Sequence, residues 1–202
     1  MIVSKPNYKA ILDLETLDTK PSAVVLSVGF LIYDENKQQS FDELLLDGHQ
    51  IVLDIQPQLN KGRTISKSTL QFWMEQDNEA RNGLFYGEEI VSDIPQLFNF
   101  VIKNFKQVYE CKLDLKNLPI QCRGQDFDIP MIRDLMEQFD LNFPFPHWKS
   151  RDLRTIYEEN NFKYKQFEDN HKPSEFIKHN ALHDCAMDAF MLQRMRANNK
   201  GT

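Results

Sequence analysis

Strand-length apolar runs crowd the first quarter of the chain, and helical spacing fills the rest. Tyr8 to Leu14 and Val24 to Tyr33 read as strands, with Phe41 to Leu46 and Ile51 to Ile55 as a third and fourth. Polar turns such as Asp34 to Lys37 and Asp47-Gly48-His49 separate them, and connections this short favour antiparallel neighbours. Beyond them, Ser66 is placed to cap a helix carrying Leu70 and Trp73. Ser92 is placed to cap a longer one with Ile94, Leu97, Phe98, Val101, Ile102 and Phe105 on one face. Pro119 to Arg123 is a short strand that precedes a helix striped by Ile129, Ile132, Leu135, Met136 and Phe139. Trp148 to Asp152 is extended and leads to a helix over Leu153 to Glu159, with Asp152 as its cap. Asn160 to Lys178 has no clean period and reads as a loop, and a final helix spans Ala181 to Arg196. The succession predicts a single α/β domain over residues 1–202, with flexible ends at about 1–7 and 197–202. Its mixed sheet combines an antiparallel N-terminal meander with parallel strands and is flanked by helices.

Composition narrows the function classes. A chain of 202 residues, 41% hydrophobic, can bury one substantial core. The longest apolar run, Ala23 to Tyr33, is too short to span a bilayer, and Met1 to Pro6 lacks the build of a signal peptide. A soluble, cytoplasmic protein without membrane contact is expected. Three scattered cysteines, Cys111, Cys122 and Cys185, match neither a disulfide framework nor a zinc pattern and read as reduced thiols. A net charge of -6 argues against coating nucleic acid through a broad basic surface, while leaving room for an enzyme that grips one chain end.

Three acidic elements carry candidate chemistry. In Ile11-Leu12-Asp13-Leu14-Glu15 the strand period of two puts both carboxylates on one face, within reach of one hard cation such as Mg²⁺ or Mn²⁺. A solvated strand edge would look the same. Asp128 stands where a strand passes through Gly124 into a helix with Pro130 expected in its first turn, a place for a ligand or for a helix cap. Asn180 is placed to cap the final helix, so His179 stands just outside it and Asp184 one turn inside. Surface polarity explains such a pair as well, but the small residues Cys185, Ala186 and Ala189 beside Asp184 point to a buried helix.

Taken in order, Asp13-x-Glu15, Phe127-Asp128 and His179-x-Ala181-Leu182-x-Asp184 resemble the three motifs of the DEDDh branch of the DnaQ-like exonuclease superfamily, whose fold is ribonuclease-H-like. The stretches Thr64 to Trp73, Cys122 to Gly124, Arg151 to Thr155 and His183 to Ala186 are similar to the subgroup of the phage exonuclease DexA and the Rv2179c-like exoribonucleases. The resemblance implies 3'-5' hydrolysis of terminal phosphodiester bonds in single-stranded DNA or RNA, with DNA slightly favoured. It implies two Mg²⁺ ions, replaceable by Mn²⁺, held roughly 4 Å apart by Asp13, Glu15, Asp128 and Asp184, with His179 as general base. It makes Thr16 and Leu17 candidates for the terminal nucleotide, and Phe127 and Trp73 candidates for base stacking. Both aromatics read equally as core. Lys61, Arg63 and Lys67 could track phosphates or form a solvated loop. A second His-x4-Asp pair, His183 with Asp188, overlaps the first but does not fit the family pattern. A hydrolase of short oligonucleotides and a silent binding module on the same fold are the competing readings, the second disfavoured because it has no use for a costly anionic cluster.

Overall fold

The computed structural model describes residues 5–85, 90–109 and 113–200. Among these residues five strands form one sheet: β1 (Tyr8–Thr16), β2 (Val25–Asp34), β3 (Gly48–Val52), β4 (Ile120–Cys122) and β5 (Ser150–Asp152). Their order is β3-β2-β1-β4-β5, with β1, β2 and β3 antiparallel and β4 and β5 joined to β1 in parallel. The helices are α1 (Phe41–Leu46), α2 (Ile55–Asn60), α3 (Lys67–Glu75), α4 (Asn78–Asn82), α5 (Ile90–Tyr109), α6 (Gln125–Gln138), α7 (Leu153–Glu159), α8 (Tyr164–His171) and α9 (Ala181–Lys200). None in the described residues is long and apolar enough to cross a membrane.

Alternation along β1 divides the interior. Ala10, Leu12 and Leu14 enter a core built with α5 and α6, from residues such as Leu97, Phe98, Ile132 and Leu135. Ile11 points the other way, into a core shared with α1, α7 and α9. Asp13 and Glu15 continue the face of Ile11, so a polar site replaces the core where that face reaches the end of the strand. Helix α9 lies unusually close to the sheet there. A Cβ on Gly29 would fall 2.3 Å from the carbonyl of Ala181, so only glycine admits the first turn of α9. Cys185, Ala186 and Ala189 are fully buried along the same contact, in keeping with their small size.

Several expected elements differ. Phe41 to Leu46 is a helix: Ser40 accepts from the amide of Glu43 and Glu43 reaches back to the amide of Ser40, a capping box that outweighs the strand-like apolar content. The strand expected from Ile51 to Ile55 is β3, which ends at Val52; Asp54 then caps α2 through the amide of Gln56, making Ile55 helical. Helix α5 already runs at Ile90, so Ser92 lies inside it. Helix α6 starts directly after Gly124, which moves Pro130 out of the first turn and places Asp128 inside the helix rather than at its cap. The segment expected as a loop contains α8, and α9 absorbs residues up to Lys200. The extreme ends, residues 1–4 and 201–202, and Cys111 lie outside the described residues. Cys122 and Cys185 are buried free thiols.

Candidate active site

Parallel pairing brings the ends of β1 and β4 side by side, with Ile11 opposite Gln121. Two positions further on, on the same faces, come Asp13 and, just past the end of β4, Arg123, and the turn at Gly124 delivers Asp128 from the first turn and a half of α6. Ligands commonly gather at the carboxyl ends of parallel strands. Helix α9 supplies Asp184 from its first turn, and His179 precedes it. Asp13, Glu15, Asp128, Asp184 and His179 all line one cavity of ≈ 410 Å³, together with Arg123, Phe127, Arg154, Glu168 and Lys178.

The carboxylates are in a costly arrangement. Burial, followed by Asp184 and Glu15, pushes the Asp13 carboxyl well above the usual carboxylate range, and burial with Asp184 and Asp128 does the same to Glu15. Asp13 keeps a fraction of its surface open to the cavity, yet the surrounding protein displaces most of its water. Burial raises Asp128 to about 7, against the opposing bond from the Leu14 backbone and the charge of Arg154. Asp184 also rises to about 7 through burial, although Arg123 pulls it down. These groups can all be ionised only if cations compensate them. An all-oxygen set of this kind suits a hard divalent ion. Carboxylate oxygens of Glu15 and Asp184 lie within 4.8 Å of each other and of a ring nitrogen of His179, so these carboxylates fit such an ion with the imidazole beside it.

His179 adopts a left-handed backbone, φ 61°, and its N–H donates to Asp184 Oδ2 at 3.1 Å. Its ring meets Phe72 edge-on at 5.0 Å and Trp73 at 6.0 Å, and Nδ1 stands 4.0 Å from Glu15 Oε1. Burial, with a contribution from Lys178, lowers its pKa to about 4. Burial thus outweighs the nearby Glu15, leaving a neutral imidazole rather than an ion pair. Asn180 caps α9 as expected, accepting from the amide of His183 at 3.1 Å.

The second His-Asp pair is divided between two other tasks. His183 packs on Phe41 and Phe176 and accepts from the Ile177 amide at 3.1 Å, outside the cavity. Asp188 accepts from Arg123 Nε at 3.0 Å and Nη2 at 2.7 Å, and from the Tyr157 hydroxyl at 2.9 Å. It holds Arg123 at the edge of the cavity.

The expected substrate residues are placed unequally. Phe127 is half-buried and lines both the main cavity and an adjoining recess of ≈ 390 Å³, which Glu15, Thr16, Phe72 and Trp73 also line. Trp73 is largely core, its Nε1 donating to the Thr16 carbonyl at 2.8 Å, while the Thr16 hydroxyl donates to the Asp18 carbonyl. Leu17 is buried with Val24, Leu26 and Leu84 and does not line the recess. Phe72, 39% exposed beside His179, lies in the stretch Thr64 to Trp73 but had no role of its own in the sequence reading. Only its place next to Trp73 could have signalled it. Arg154 lies in the stretch Arg151 to Thr155 but had no role assigned to it, and Glu168 and Lys178 carried no signal, because they meet Arg154 only in the folded chain. Arg63 is no phosphate tracker: it is buried and braces Asp134 at 2.7 Å and the carbonyls of Pro21 and Ala23. Lys61 lies over the Phe139 ring instead.

The chain is 29% identical to an exodeoxyribonuclease of Enterobacteria phage T4 over 207 residues, covering 92% of this chain and 88% of that one. Among solved structures it resembles the nuclease domain of 3'hExo, a DEDDh family member bound to rAMP. There the TM-score is 0.56 and the identity 15%, with 96% of this chain and 94% of that one covered. It also resembles E. coli ExoI in a zinc-bound complex with single-stranded DNA, at TM-score 0.62 and 10% identity. That match covers 97% of this chain but only 42% of the ExoI chain. These likenesses are of fold, and the fold is the ribonuclease-H-like one expected. Residues 8–195 match the 3'-5' exoribonuclease Rv2179c-like domain, and the chain therefore belongs to that family, as a 3'-5' exonuclease of the DEDDh type.

Proposed function

We propose that this enzyme removes nucleotides from the 3' end of single-stranded nucleic acid, with Asp13, Glu15, Asp128 and Asp184 holding two Mg²⁺ or Mn²⁺ ions and His179 serving as general base. The carrying observation is the convergence of four carboxylates, two buried and two half-buried, and one neutral imidazole on a single cavity. Bound there, the cations would supply the Lewis acidity that makes water nucleophilic near neutral pH and takes up charge on the departing 3'-oxygen.

The protein's own groups divide the remaining work. Asp13, whose charge meets those of Asp184, Glu15 and Asp128, would hold the cations together with them. His179 takes the proton of the attacking water, its pKa held low enough by burial that it starts neutral. The bond from its amide to Asp184 keeps base and ligand in fixed relation. Phe127 and Phe72 offer stacking surface to the terminal nucleoside, with Thr16 beside them and Trp73 and Leu17 supporting them from within the core.

DNA is the substrate we favour, supported by the likeness to the phage exodeoxyribonuclease over most of its length. RNA is the second reading, favoured by the description of the family. Buried free thiols suit a reducing, cytoplasmic setting. Matched single-stranded DNA and RNA of one sequence, labelled at the 5' end and incubated with Mg²⁺, Mn²⁺ or EDTA, test the reading. Faster shortening of DNA supports the first substrate, faster shortening of RNA the second. Shortening undiminished in EDTA contradicts the cation requirement.

A further inference from the structure

A third recess, of ≈ 390 Å³, adjoins the main cavity and shares Arg123, Arg154, Glu168 and Lys178 with it. It has no residue in common with the aromatic recess of Phe72, Trp73 and Phe127. The carboxylate cluster therefore stands between two recesses of different chemistry. The aromatic one contains no Lys or Arg. The other contains Arg154 from α7, Lys165 from α8 and Lys178 from the segment before α9.

These three cations are exposed, and among the described residues their side chains make no hydrogen bond, ion pair or ring contact with the protein. Arg123, by contrast, is spent on Asp188 and Glu168. Arg154 acts on Asp128 and Asp152 through its charge alone, so three cations without an ion-pair partner surround one concavity and outnumber the single unpaired carboxylate there, Asp169, in a chain whose net charge is -6. Arg154 also approaches the chemistry: its Nη1 and Asp128 Oδ2 both lie against the Cα of Gly124, at 3.2 and 3.8 Å from where a Cβ would stand.

A strand cut at its last phosphodiester has a nucleoside on one side of the scissile phosphate and a phosphate-rich chain on the other. The aromatic recess suits the first and the cationic recess the second. We infer that Arg154, Lys165 and Lys178 form a binding site for the phosphates of the retained strand, immediately upstream of the scissile bond, and that this site gives longer strands their advantage over a dinucleotide. The inference rests on the exonuclease reading above and adds the direction in which the strand lies and the residues that grip it.

The test compares wild type with Lys165→Glu and with Arg154→Ala/Lys165→Ala, folding being checked by circular dichroism. The first readout is kcat/KM for thymidine or uridine strands of two and eight nucleotides, whichever sugar wild type prefers. The second is the salt dependence of octanucleotide binding with Ca²⁺ in place of Mg²⁺. The expected result is at least a severalfold loss of the preference for eight over two nucleotides. Loss of two phosphate contacts should also make the slope of log affinity against log salt shallower by about 1.4. Unchanged length preference and slope in an active wild-type background would overturn the inference and leave the exonuclease reading standing. So would a wild type with no length preference, or variants altered only in inhibition by the mononucleotide product, which would assign the recess to released phosphate. A wild type inert on every strand would overturn the exonuclease reading and this inference together.

Discussion

The backbone N–H of His179 donates to the carboxylate of Asp184 at 3.1 Å, while the side chain of His183, four residues on, is turned away to the Ile177 amide. The two histidines of the overlapping motif thus face different surroundings. His179→Ala should lower kcat by about 10²–10⁴-fold, the usual worth of a positioned base. His183→Ala should cost far less. Steady-state kinetics at saturating Mg²⁺ checks the ranking, and the reverse order would move the base to the second pair.

In EDTA the carboxylate cluster should make stability fall with rising pH. Folded Asp128 and Asp184 titrate near 7, and Asp13 and Glu15 are also raised, whereas unfolded carboxylates titrate near 4. Between about pH 4 and 7 the folded state binds more protons than the unfolded one, so their contribution is most favourable below pH 4 and is lost as pH climbs through 7. The thermal midpoint in EDTA should be lower at pH 8 than at pH 5.5, and Mg²⁺ should recover much of the difference. A midpoint that rises over this range would show that the carboxylates are not crowded as described.

Asp13→Ala should abolish nearly all turnover yet raise the midpoint in EDTA, because it removes a charge from that cluster. Differential scanning fluorimetry beside a turnover assay separates the two effects. Wild-type turnover would remove Asp13 from the site.

Gly29→Ala places a methyl group 2.3 Å from backbone atoms of Ala181, where no flexible side chain can yield. Overpacking of this kind costs about 1–3 kcal/mol, and the first turn of α9, with Asp184, must shift to relieve it. Urea unfolding should show the loss of stability, and kcat should fall although Gly29 touches no substrate. A variant with wild-type stability and rate would mean that α9 sits farther from the sheet.

Much of the site was legible in the sequence because its spacings are short and local. Asp13-x-Glu15 follows from the strand period alone, and His179 to Asp184 from one capped helical turn. The fold was legible wherever an apolar run was long, as in β2. It failed at Phe41 to Leu46, where apolar content suggested a strand but the Ser40-Glu43 capping box decided for a helix. It failed again at α8, whose eight residues are mostly polar and whose order depends on contacts such as the stacking of Tyr164 on Tyr157 at 5.0 Å. The cationic recess and the grip of Asp188 on Arg123 were hidden for the same reason. One joins residues 65 positions apart and the other residues from separate elements, and no local pattern marks such a meeting.

The most direct measurement is the order in which label leaves a single strand carried in two forms, one labelled at the 3' end and one at the 5' end, in Mg²⁺. The 3' label should appear at once as mononucleotide while the 5' label passes through a descending ladder, and both EDTA and Asp13→Ala should stop the reaction. Early release of mononucleotide from the 5' end, or full activity without divalent cations, would contradict a cation-dependent 3'-5' exonuclease built on these four carboxylates.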